Sequence, residues 1–135
     1  MASEAAQLLR RVPLFSDLND KEREEIAGSM KQRTFQPGQQ IAVEGESGVG
    51  FFVIEDGQAS VSVHGDEVRR LGPGDYFGEI ALIAQSARTA TVTADGELKT
   101  YAMTFWDFRP LVEDTPGIAW KLLQGAIKQY DQAQQ

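Results

Sequence analysis

Residues 76–94 read YFGEIALIAQSARTATVTA, and the rest of the chain becomes intelligible once this stretch is read. It opens with Gly78-Glu79, runs through the apolar residues Ile80 to Ile83, crosses a short polar loop and meets Arg88 ahead of the alternating tail Thr89-Ala90-Thr91. Glycine at 78 has no Cβ and lets the backbone come close to a ligand. The run Ile80-Ala81-Leu82-Ile83 suits one or two helical turns, and a helix start points unpaired N–H groups toward an anion. Arg88 adds full charge, and its planar fork matches two oxygens of one phosphate. Glu79 would repel that phosphate, so it makes sense only as an acceptor for another part of the ligand, such as a sugar hydroxyl. Acceptor and anion clamp side by side describe a ribose phosphate.

On both sides of this stretch, from Thr34 to Thr104, short apolar runs are broken by Gly and Pro at intervals that suit a sandwich or barrel. Turns are expected at Pro37-Gly38, Gly45 to Gly50, Asp56-Gly57, His64-Gly65-Asp66, Gly72-Pro73-Gly74 and Asp95-Gly96. Strands are expected at residues 40–43, 50–55, 59–63, 68–71, 89–93 and 98–103, with alternation as in Val61 and Val63 leaving one face buried. Flanking this region the period is helical. Ser3 is suited to cap a helix to Arg11 that Pro13 stops. Ser16 or Asn19 is suited to cap a second helix ending near Lys31, with the charged run Asp20 to Glu25 as its wet face. Beyond Thr104, a helix carrying Phe105, Phe108, Leu111 and Val112 is broken by Pro116-Gly117. Ile118, Leu122, Leu123, Ala126, Ile127 and Tyr130 then form one stripe at helical spacing. The expected fold is mostly β with flanking helices: an antiparallel jelly roll over 34–104, N-terminal helices over 1–33 and C-terminal helices over 105–135, in a single domain.

The motif FGEIALI, four spacer residues and RTATV resembles the phosphate-binding cassette of cyclic nucleotide-binding domains. These are the modules of the bacterial catabolite activator, cyclic-nucleotide-dependent kinases and cyclic-nucleotide-gated channels. The cassette spans 76–92, and VPLFSDL resembles the helical entry of the same family. The resemblance implies that Glu79 holds the ribose 2′-hydroxyl and that Arg88 pairs with the cyclic phosphate. It also implies that Gly78 and the amides of Ile80, Ala81 and Ala90 line that phosphate. Thr89 stands where some members contact the phosphate and a guanine edge through a hydroxyl. Ala87 replaces a proline often found before the arginine, which loosens the loop without removing a contact. Val61 and Val92 are expected as the pocket wall, and Leu123, Ile127 and Tyr130 as an apolar lid over the purine. Glu55 is read as a surface carboxylate, with orientation of Arg88 as its second reading.

Composition narrows the function further. Cysteine is absent, which excludes disulfides and thiolate chemistry, and the lone histidine, His64, falls in an expected turn. No metal, cofactor or catalytic residue is therefore expected, and hydrolysis of a cyclic phosphodiester, which usually relies on a metal-held water, is disfavoured. Twenty acidic residues against thirteen basic ones give a net charge of −7, so nucleic-acid binding by this chain alone is not expected. No apolar run is long enough for a membrane span and no signal peptide is evident, so the expected compartment is the cytoplasm. The sequence ends before a DNA-reading helix-turn-helix would fit.

The resulting expectation is a second-messenger sensor, not an enzyme. It binds a cyclic nucleoside monophosphate, cyclic AMP slightly ahead of cyclic GMP, and transmits binding through movement of its C-terminal helices to a protein partner or a second copy of itself. The alternative is a nucleotide-free interaction module on the same fold.

Overall fold

In the computed structural model, residues 3–48, 50–83 and 87–134 are described, without the side chains of 129, 130 and 132–134. Two units pack separately: Lys31 to Phe105 form one, and residues up to Met30 with those from Trp106 onward form the other.

The β unit is built on two strands of 14 residues, β3 (Gly50–Val63) and β6 (Thr91–Thr104), paired antiparallel from Gly50↔Thr104 to Ser62↔Thr91. Around them lie β1 (Lys31–Phe35) and β2 (Gln40–Ala42) on β6, and β4 (Asp66–Leu71) and β5 (Tyr76–Phe77) on β3, all antiparallel. The expected antiparallel β architecture with helices toward both ends of the chain is the one adopted. Two expected turns are not turns. Asp56-Gly57 and Asp95-Gly96 lie inside β3 and β6, where the pairing register shifts between Ile54, Asp56 and Gln58. Both glycines have positive φ, but the two strands bulge at the same level, so the ladder bends and continues where a hairpin would reverse it. His64-Gly65 is a genuine reversal: with φ of 54° and 85° it closes the pair Val63↔Asp66, the geometry of a two-residue primed hairpin.

Strand β1 has no apolar alternation to announce it, because four of its five side chains are exposed. The second helix, expected to run near Lys31, ends at Ala27, and the backbone of Lys31 pairs with Ala102 instead. Ile54, Ala59, Val61, Leu71, Phe77, Val92 and Leu98 fill the interior, with the rings of Phe52 and Phe77 stacked at 5.0 Å. Each large apolar side chain so buried contributes about 1.5–3 kcal/mol. That collective term, not any single turn, fixes the register.

In the helical unit, α1 (Glu4–Leu9) is capped by Ser3, whose Oγ accepts from the Ala6 amide at 3.2 Å. A 3-10 turn at Pro13–Phe15 leads to α2 (Asp20–Ala27). Asn19 caps α2 in a reciprocal box with Glu22, while Ser16 donates to the carbonyl of Pro13. The charged run of α2 is not uniformly wet: Arg23 is buried and donates to the carbonyls of Phe15 and Leu18. Helices α3 (Phe105–Asp114) and α4 (Pro116–Gln134) follow, and Pro116 opens α4 at a position where a missing N–H costs nothing. Lys121 pairs with Glu22 at 2.7 Å and Lys128 with Asp17 at 2.6 Å, which ties α4 to the N-terminal segment.

The single apolar stripe expected on α4 divides in two. Ile118, Leu122 and Gly125 are buried, whereas Trp120, Leu123 and Ile127 are exposed. At 100° per residue these triplets fall on opposite faces. The side chain of Tyr130 lies outside the described residues.

Candidate functional site

Gly78 closes β5 with φ of 86°, a left-handed conformation open to glycine, and so turns the chain directly into the segment Glu79–Leu82. That segment is a single 3-10 turn where one or two helical turns were expected. The Ala81 amide is engaged within it, donating to the carbonyl of Gly78 at 3.0 Å. Across the site, residues 45–47 run beside residues 87 and 88. Gly45 donates its amide to the Arg88 carbonyl at 2.8 Å, Arg88 donates its own to the Glu46 carbonyl at 2.8 Å, and Ser47 pairs with Ala87. The backbone of Arg88 is thereby fixed from both sides.

Its side chain is fixed as well. Nη2 donates to the carbonyl of Gly50 at 2.7 Å, and the guanidinium lies against the backbones of Gly48 and Gly78. Burial presses the pKa of Arg88 down, and the neighbouring carboxylate of Glu79 acts in the opposite direction. Among the described residues, one of the guanidinium's N–H donors is engaged, at the Gly50 carbonyl. Of the two readings of Glu55, only its orientation of Arg88 is corrected: the Gly50 carbonyl accepts from Arg88, while Glu55 accepts from Gln32 Nε2 at 3.3 Å in an exposed pair, as a surface carboxylate would.

These groups surround an open cavity of about 340 Å³. Every candidate ligand-binding residue lines it: Gly78 to Ala81, Arg88 to Ala90, Val61 and Val92. Of the loop 84–87, only Ala87 is among the described residues, and it also lines the wall. The lid candidates Leu123 and Ile127 belong to α4, where both are exposed.

Sequence reasoning missed Arg69, Asp75 and Tyr76, which also line the cavity. A signal for Arg69 existed: it stands two residues before the buried Leu71 on β4 and opposite Val61 on β3, so the strand period puts it on the cavity side. Reading that signal required the β3–β4 register. Burial raises the Tyr76 pKa, the charge of Glu79 adds to the rise, and Arg69 opposes it. Two carboxylates, two guanidiniums and a phenol therefore share this one wall. Elsewhere, His64 stays in its hairpin and donates its amide to Glu44 at 2.9 Å. Among the described residues no three His, Cys, Asp or Glu side chains group closely enough to hold a metal, and no helix is long and apolar enough to cross a membrane.

The family model described as cyclic nucleotide-binding domain matches residues 32–115. The chain belongs to that family. A cAMP-dependent protein kinase regulatory subunit of Yarrowia lipolytica is 42% identical over 93 residues, covering 67% of this chain and 25% of the relative. A cGMP-dependent protein kinase of Toxoplasma gondii is 39% identical over 93 residues, covering 69% of this chain and 9% of the relative. The chain thus spans a quarter or less of the length of these two curated relatives. Among solved structures, the N-terminal domain of a transcriptional regulator from Streptomyces coelicolor A3(2) is similar, with a TM-score of 0.86 at 29% identity over 93% of this chain and 94% of that one. The cAMP-bound PfPKA-R (141-441) gives a TM-score of 0.69 at 27% identity, over 88% of this chain and 45% of that one. The chain is a cyclic nucleotide-binding domain of the kinase-regulatory and transcriptional-regulator type.

Proposed function

We propose that this domain binds a cyclic nucleoside monophosphate as a second messenger in the cavity beneath residues 78–81. The observation that carries the reading is the Arg88 guanidinium, half-buried, held by the Gly50 carbonyl and facing a cavity that it shares with Glu79. Arg88 would meet the cyclic phosphate and Glu79 the ribose 2′-hydroxyl. The amides of Ile80 and Ala90 would add neutral donors, and Val61 and Val92 an apolar wall. Relatives named for cyclic AMP and for cyclic GMP support the ligand class without dividing it.

For the base, the sequence alone leans to cyclic AMP. Arg69 and the Thr89 hydroxyl on the cavity wall weigh toward guanine. A guanidinium only donates, which matches the two acceptors O6 and N7 of guanine, whereas adenine presents a donor beside N7. Output runs through α4 in this reading. Covering the purine would take Leu123 and Ile127, now exposed, out of water, and ligand shifts such an equilibrium only by its differential affinity for the two packings. The recipient is a protein partner or a second copy.

Calorimetric titration with both nucleotides tests the reading. The parent should bind at least one of them. Arg88→Ala should lose on the order of 3 kcal/mol, roughly a hundredfold in Kd, because two charge-assisted bonds vanish. Equal binding by parent and variant would remove the phosphate from Arg88.

A further inference from the structure

We infer that Gly48 is a positioning residue for the anion site: its missing side chain is the slot in which the Arg88 guanidinium lies. The inference rests on the reading of Arg88 as the phosphate clamp. A Cβ on Gly48 would overlap Nε and Cζ of Arg88, and even Cδ would lie only 2.7 Å away. All three of these nearest atoms belong to that one side chain. Gly48 is not among the residues of positive φ, so no left-handed backbone calls for glycine there. The fold therefore does not call for glycine here, while the arginine does.

Gly78 bounds the same guanidinium on another side. A Cβ there would stand 2.7 Å from Nη1, and Gly50 accepts from Nη2 at 2.7 Å. A free arginine spreads over many rotamers, and ordering it on binding weakens affinity. Confined between two glycine backbones and a carbonyl, Arg88 is ordered before any anion arrives. The bonds from Gly45 and to Glu46 hold the backbones together whichever way the side chain points, so filling the slot displaces the guanidinium and leaves the frame.

The test uses the full chain with Gly48→Ala, alone and combined with Arg88→Ala. Gly48→Ala should unfold at the same urea midpoint as the parent and bind cyclic AMP or cyclic GMP about tenfold or more weakly. In the Arg88→Ala background the same change should alter neither. A second readout needs no nucleotide: the Nε–H resonance of Arg88, assigned by its loss in Arg88→Lys, should shift and broaden in Gly48→Ala. A resonance unmoved by Gly48→Ala, an equal loss of affinity in both backgrounds, or failure of Gly48→Ala to fold would each overturn the inference. If the parent binds neither nucleotide while the resonance still moves, the messenger reading fails and the positioning role of Gly48 stands.

Discussion

At Gly78 the φ of 86° and the Gly50 carbonyl just beyond the missing Cβ are both backbone constraints that no rotamer relieves. Gly78→Ala should lower the stability of the unliganded domain by about 2 kcal/mol or more, left-handed strain accounting for ~1–2 of that. Urea denaturation checks it, and the contrast with Gly48→Ala separates a glycine kept for the chain path from one kept for a neighbouring side chain. Arg69 carries a second prediction at this scale. Its removal should cost cyclic GMP about 1–3 kcal/mol and leave cyclic AMP nearly unchanged, since a bidentate contact to O6 and N7 is specific to guanine. Paired titrations of Arg69→Ala and the parent read that ratio, and an equal loss for both nucleotides would take Arg69 away from the base. Glu79 and Arg88 were legible as residues because their chemical types declare themselves at a fixed spacing. Arg69 was not, because a single arginine on an exposed strand looks like any other until its cross-strand partner is known.

Among the elements, α2 carries its stability in a form that pH can probe. Glu22 accepts from the Asn19 amide at 2.9 Å and from Lys121 at 2.7 Å, and those bonds, the Asn19 bond foremost, hold its carboxyl below the usual value of 4.5. A depressed carboxyl contributes stability that is present above its unfolded pKa and is lost as pH falls through the lower folded value. Glu22→Gln should therefore be about 1 kcal/mol less stable than the parent near neutrality, the scale of a helix cap, and the gap should close below pH 4.5. Urea midpoints measured on both proteins across that range test it. The capping signal at Asn19 and Glu22 was readable because a cap is a local motif. The strand assignments failed where locality failed: Asp-Gly reads as a turn, yet at residues 56–57 and 95–96 the pairing of two 14-residue strands absorbs it as a bulge. Strand β1 fails for the same reason, since four exposed side chains leave only the backbone ladder to β6 to define it.

For the whole molecule the prediction concerns coupling. A nucleotide present at 100 times its Kd should stabilise the folded chain by about 2.7 kcal/mol, visible as a rise in Tm, and no rise at millimolar nucleotide would favour the nucleotide-free interaction module. Leu123→Ala with Ile127→Ala should leave the unliganded Tm nearly unchanged, because both side chains are exposed and such changes usually stay within about 0.5 kcal/mol. The same pair should lessen the ligand-induced rise if α4 supplies the lid, and an undiminished rise would remove these residues from it. By itself the sequence determined the family and the β architecture between terminal helices, and it singled out Glu79 and Arg88 as candidates. Each of these is carried by residue type at short, fixed spacing, where propensity, turn chemistry and charge act within a few residues. Tertiary structure alone decided that Arg69 shares a wall with Tyr76 and Thr89, that Gly50 and not Glu55 orients Arg88, and that one helical stripe is really two faces. Those outcomes depend on which distant backbone lies opposite, and that is fixed by the summed burial of the core and the register of the long strands, quantities that no local window of sequence contains.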